Sequence, residues 1–180
     1  MNLEILTKTF LSVYRYLKPL TKSIDKVVKL KCINSSNLSY YYTNNTQDLT
    51  EEILELTSKK VSFINIKIIV DKILLKLEQN QARILILKYV DGLKSKQICE
   101  LMGYIPRTYF RKVNSALNIF QKHLENYLNS NPRVFSQLKK DAWVNMIVKN
   151  CEQSKTTFEL VESGIFYKNM IKALNTSVMA

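Results

Sequence analysis

Glycine and proline are nearly missing from this 180-residue chain, which holds three of each. Ordinary proteins carry roughly 7% and 5%. Three glycines cannot furnish the tight turns of a many-stranded sheet, so the chain should be mostly helical. Nor can they supply a phosphate-cradling loop, and neither G-x-x-x-x-G-K-[ST] nor G-x-G-x-x-G occurs. His123 is the single histidine. A zinc site needs several His or Cys ligands, and a Ser-His-Asp arrangement would rest on this residue alone. No metal, no cofactor and no catalytic set is therefore expected. Cys32, Cys99 and Cys151 are odd in number, far apart and in no redox or metal spacing. They read as reduced thiols of a cytoplasmic protein. The first residues show no basic stretch ahead of an apolar core, so no signal peptide is expected. The most apolar run, VSFINIKIIV, is interrupted by Asn65 and Lys67 and is too short to span a bilayer.

What is present is positive charge and enough apolar residue for a core. The net charge is +12, from 27 Lys+Arg against 15 Asp+Glu, with 46% hydrophobic residues. Such a balance favours a polyanionic partner, nucleic acid before an anionic membrane surface. Abundant Lys, Asn, Ile and Tyr with scarce Gly, Pro and Ala is also the bias of an AT-rich genome. The place of the charge therefore says more than its sum. Residues 1–78 carry 12 basic and 8 acidic side chains, 79–125 carry 8 and 3, and 126–180 carry 7 and 4. The middle segment is the shortest and the most basic per residue.

The apolar spacing predicts an all-α chain in three parts. Residues 1–78 read as a long helical hairpin, a scaffold or oligomerisation unit. Its first helix covers 3–30 with Leu6, Phe10, Val13 and Leu17 at three-and-four spacing, bent or broken at Pro19. A polar loop follows at 31–48. Asp48 then caps a second helix that runs to about Leu77, with Glu51 reaching back. Residues 79–128 hold three shorter helices, and 129–180 form a helical extension with helices at about 133–152 and 156–175. Trp143 in that extension is expected in the core or at an interface.

The middle part has the parts of a helix-turn-helix. Residues 80–90 form an apolar helix ended by Asp91-Gly92. Ser95 is a candidate N-cap for KQICELM, whose inner side is Ile98 and Met102, with the small Cys99 where a second helix crosses. Gly103 can stop that helix in a left-handed conformation. Pro106 suits the first turn of the next helix, where its missing N–H costs nothing. Tyr109, Val113, Ala116, Leu117 and Phe120 give that helix an inner face. Its outer face carries Arg107, Thr108, Arg111, Lys112, Asn114, Ser115 and Asn118, with no acid from Arg107 to Ala116. Basic groups suit phosphate and guanine, and hydroxyls and amides suit base edges. Lys94 and Lys96, at the start of the preceding helix, would hold phosphate. Packing of two helices round a small residue accounts for the inner face but not for the outer one.

ARILILKYVDGLKSKQICELMGYIPRTYFRKVNSALNIF resembles the region 4 helix-turn-helix of bacterial sigma factors. Lys88-Tyr89, Asp91-Gly92-Leu93, Gln97-Ile98-Cys99, Met102-Gly103 and Ala116-Leu117 stand at that family's characteristic places. The stretch from Met102 to Phe120 is more similar still to ArpU-type regulators of low-GC Gram-positive phages. Gly103-Tyr104 and Thr108-Tyr109-Phe110-Arg111 match there. Ile105 stands where that family usually has a Ser N-cap, and Lys112 where an apolar residue is common. The resemblance implies a phage or prophage transcription regulator that binds double-stranded promoter DNA on the nucleoid of a bacterial host. Residues 1–78 show no sigma region 2 signature.

The leading expectation is a sequence-specific DNA-binding regulator that places helix 106–122 in the major groove. The alternatives are a sigma-like module that binds RNA polymerase and a small DNA-recognition subunit of a phage terminase. The flanking helices would serve a protein partner, either polymerase or a second copy of the chain. An enzyme, a small-molecule substrate and a membrane surface are not expected.

Overall fold

A computed structural model describes residues 2–35, 46–141 and 144–145. The architecture is all-helical, with no strand among the described residues. In chain order the helices are α1 (Leu3–Ser35), α2 (Thr46–Leu74), α3 (Gln79–Leu85), α4 (Ser95–Met102), α5 (Pro106–Ser130) and α6 (Pro132–Lys140). α3 runs on into a widened π turn over Ile86–Val90, closed by Asp91 N–H donating to Ile86 O at 3.0 Å.

α1 and α2 form the hairpin. Lys31 bonds Glu52 at 2.6 Å, Lys60 bonds Asp25 at 2.5 Å, and Tyr14 bonds Asp71. As one number of each pair rises the other falls, so the helices run antiparallel. Between them Leu6, Phe10, Val13, Leu17, Leu20 and Ile24 meet Phe63, Ile66, Val70 and Ile73, all buried. Burial of such side chains stabilises by about 1.5–3 kcal/mol each. Lys31 is itself buried beside Glu52, where the carboxylate offsets the desolvation of the ammonium. Lys67 donates to the same Asp71 at 2.6 Å. Burial, followed by the bond to Asp71, raises the Tyr14 pKa, and the bond to Asp71 raises that of Lys67.

Several boundaries differ from the sequence expectation. Pro19 neither bends α1 to a stop nor breaks it. It forfeits one backbone bond, but Leu17, Leu20 and Ile24 on either side of it are fixed against α2, and that packing carries the helix through. The hydroxyls of Thr21 and Ser23 bond the Lys18 and Pro19 carbonyls there. The polar loop is shorter than 31–48, because α1 extends to Ser35 and α2 begins at Thr46. Asp48 therefore lies inside the first turn of α2 and is not its cap. α2 ends at Leu74, and Leu77 is buried in the turn that follows. The expected helix 133–152 is interrupted at Asp141, which has extended backbone (φ −68, ψ 114), and helix resumes at 144–145. Trp143 and the expected helix 156–175 lie outside the described residues.

α5 is the centre of the molecule. Tyr109, Val113, Ala116, Phe120, Leu124 and Leu128 are all buried at three-and-four spacing, and α5 touches α1, α2, α3, α4 and α6. Ile84, Leu85, Tyr89 and Ile98 complete its surroundings, in one apolar cluster continuous with the hairpin. This packing fixes the rotation of α5 and hence which of its side chains face out.

Candidate nucleic-acid interface

The α4–turn–α5 unit is built by local rules. Gly103 ends α4 in the left-handed region (φ 67, ψ 31). Its own N–H and that of Tyr104 both turn back to the Cys99 carbonyl, the latter at 2.9 Å. That pattern closes a helix only when the residue after it tolerates positive φ, which glycine does without strain. Pro106 then opens α5 at its first position, and Ile105, with extended backbone, offers no side-chain cap. At the start of α4 the residue in the cap position is Lys94, not Ser95. Ser95 lies in the first turn, and Gln97 Oε1 accepts the Lys94 N–H at 2.9 Å. Two helix starts thus lack a hydroxyl or carboxylate cap, and the packing of Ile98 and Tyr109 beneath them supplies the stability instead.

Ile98 is fully buried, while Met102 and Cys99 are half-buried against the same core. On α5 Val113 turns inward and Lys112 outward. Arg107, Arg111, Lys112, Asn114, Ser115 and Asn118 are exposed, and Thr108 is half-buried. At 100° per residue, Arg107, Arg111, Asn114 and Asn118 fall within one narrow stripe down the middle of the exposed face. Ser115 and Thr108 flank it, and Lys112 sits at the far edge of the exposed face, next to the buried side. Lys94 and Lys96 are exposed at the start of α4.

Three further residues belong to this surface. Phe110 is 57% exposed and lies beside the stripe, one turn on from Arg107 and one turn before Asn114. Its ring packs edge-on to Tyr109 at 5.1 Å between centroids. The helical spacing alone could have marked it. Arg15 and Lys88 could not have been found that way. They share a groove with Lys94, Tyr109 and Phe110, and Arg15 comes from the middle of α1. Its guanidinium lies so close to Gly92, which has φ 68, that a Cβ at that position would collide with Nη1 unless the arginine moved. Glycine at 92 thus both turns the chain and leaves room for the arginine. Two acids lie near this surface: Glu100, on the rim of the neighbouring groove with Lys96 and Tyr104, and Asp91, exposed next to Gly92.

No group of three or more His, Cys, Asp or Glu among the described residues could hold a metal ion. No described helix is long and apolar enough to cross a membrane.

Residues 67–114 match the family model of sigma-70 region 4. The matched segment runs from the last third of α2 through three turns to Asn114, so it includes Gly92, Gly103 and three of the four stripe residues. The central part of the chain, all-helical in its described residues, is a sigma region 4-like helix-turn-helix. No curated protein and no solved structure matches the chain.

Proposed function

We propose that the chain is a sequence-specific double-stranded DNA-binding transcription regulator that places α5 in the major groove. The observation that carries this reading is the exposed, acid-free stripe of Arg107, Arg111, Asn114 and Asn118, held in place by a fully buried inner face. A recognition helix needs its base-reading side chains fixed in rotation, and the core of Tyr109, Val113, Ala116 and Phe120 does that. Arg107 and Arg111 present guanidinium forks suited to guanine or phosphate, and Asn114 and Asn118 present amides suited to adenine. Lys88, Lys94, Lys96 and Arg15 flank the stripe and hold the phosphate backbone, which sets register and orientation. The protein acts by binding alone, with no cofactor and no chemical step. The resemblance of Met102–Phe120 to ArpU-type phage regulators supports a role in control of phage or prophage genes, on the nucleoid of the host cytoplasm.

Selection of bound sequences from random duplex DNA by the full chain tests this reading. An enriched motif is expected, and absence of any enrichment refutes it. Within the selected site, Arg111→Ala is expected to weaken binding by about 1–3 kcal/mol and to relax the preference at one base pair. An equal loss on every sequence would move Arg111 to the phosphate contacts.

A second reading, a module that binds RNA polymerase, is favoured by Leu101 and Ile105. These are 57% and 65% exposed beside the α4–α5 turn, where a DNA backbone would gain nothing from them. Capture of polymerase by a protein that selects no DNA sequence would support it.

A further inference from the structure

α2 is apolar on two opposite faces. Leu56, Phe63, Ile66, Val70 and Ile73 are buried against the rest of the protein. On the other side Leu54, Val61, Ile68 and Leu75 are 63%, 50%, 42% and 86% exposed. These four recur every seven residues, the repeat of a helix that packs along its length against another helix. Ile64, 39% exposed, adds to the centre of the stripe. Leu75 N–H bonds the Asp71 carbonyl at 3.1 Å, so the helical ladder carries the stripe to its end. From Leu54 to Leu75 it is about 32 Å long at about 1.5 Å per residue. Monomeric proteins rarely leave so continuous an apolar strip in water.

The charges of the same helix say what covers it. Its first turns hold Asp48, Glu51, Glu52 and Glu55, its last turns hold Lys67 and Lys72 with Asp71 between them, and Lys76 lies just beyond its end. Glu52 is engaged with Lys31, Glu55 with Lys59, and Lys67 with Asp71. Asp48 and Glu51 at one end, and Lys72 and Lys76 at the other, are exposed and make no ion pair among the described residues. Glu51 and Lys72 also fall on one flank of the stripe, three sevenfold steps apart. A helix that is negative at one end and positive at the other complements a copy of itself laid antiparallel. A twofold axis across the helix near Ile64 and Asn65 sets Leu54 opposite Leu75, Val61 opposite Ile68, and the acidic end of each copy beside the basic end of the other. Such an isologous contact closes after two subunits. Beside Val61, a groove between α2 and α6 bounded by Val134 and Leu138 gives the incoming helix a second wall.

We propose that the outer face of α2, from Leu54 to Leu75, is a self-association surface on which a second copy of this chain packs its own α2 antiparallel. The inference is independent of the DNA reading, and it would give a helix-turn-helix reader two copies for two half-sites.

Sedimentation equilibrium of the full chain without DNA tests it. The wild-type protein is expected at twice the 21.0 kDa chain mass. Val61→Glu with Ile68→Glu is expected to weaken association about ten-fold or more, because it sets like charges in the apolar seam. Both positions are exposed, so the far-ultraviolet circular dichroism should not change. Glu51→Lys alone and Lys72→Glu alone should each weaken association, and the double variant E51K/K72E should recover it, since each swapped end then meets its opposite again. A wild-type chain that stays monomeric, a dimer indifferent to the two glutamates, or single charge changes without recovery would each overturn the proposal. A monomer that still selects a DNA motif would leave the DNA reading standing.

Discussion

Replacing Gly103 with alanine tests the backbone conformation of the turn that aims α5. A Cβ built at Gly103 meets nothing within 4 Å, so no steric clash enters. What remains is the left-handed backbone, φ 67, which disfavours an L-residue by about 1–2 kcal/mol. Alanine also restricts the unfolded chain, which returns about 0.4–1 kcal/mol. The net expectation is a loss of about 1 kcal/mol, or a fall in melting temperature of about 2–4 °C for a chain of this size. Gly103→Asn should lose less, because asparagine tolerates this region better. Thermal unfolding followed by circular dichroism, with urea titration as a second measure, reads all three proteins. A Gly103→Ala protein as stable as wild type, or one that loses more than about 4 kcal/mol, would refute the reasoning. The first outcome would mean that the turn does not hold positive φ, and the second that the site is crowded. Gly92 is the contrast, since its Cβ would collide with the Arg15 guanidinium. Strain and displacement of Arg15 then act together.

Two further substitutions probe the hairpin. Tyr14→Phe removes the hydroxyl that bonds Asp71 and should lower stability by about 1 kcal/mol at neutral pH. Tyr14 and Lys67 both have folded pKa values raised above their usual ones, so the stability they contribute is complete below about pH 10 and is lost as pH climbs through the folded values. Wild type should therefore lose stability above about pH 10 more steeply than Tyr14→Phe, and parallel urea-midpoint profiles would contradict this. Thr9→Val replaces a buried hydroxyl that has no hydrogen-bond partner among the described residues with a methyl of the same shape. A gain of about 1 kcal/mol in the urea midpoint is expected, and a loss would show that the hydroxyl is satisfied after all.

Much of the helix-turn-helix was legible in the sequence because its signals are local. Gly103, Pro106 and the spacing of Tyr109, Val113, Ala116 and Phe120 each act within a turn or two of their own position. They fixed the stop of α4, the start of α5 and its buried side together. The departures at Ile105 and Lys112 from the resembling family are resolved in the same terms: Ile105 caps nothing, and Val113 faces inward where Lys112 cannot. Ser95 misled because a hydroxyl beside a helix start is a good cap only when the chain enters at that residue, and here it enters one residue earlier.

What the sequence by itself determined is the helical class, the order of the helices and the chemistry of the exposed face of α5. Scarce glycine and proline, together with apolar periodicity, suffice for that, because each is a statement about neighbours along the chain. Only the tertiary structure decided three other things. It carried α1 unbroken through Pro19, because contacts with α2 outweigh one missing backbone bond. It brought Arg15 and Lys88 beside Lys94, because the fold of α1 against the α3 π turn joins residues far apart in sequence. And it chose which apolar side of α2 faces the core. FINIKIIV alternates in part as a strand would, and in α2 that alternation is the trace of a helix with two apolar sides. The periodicity of one chain cannot rank them, whereas packing against α1 takes one side and leaves Leu54, Val61, Ile68 and Leu75 to the solvent.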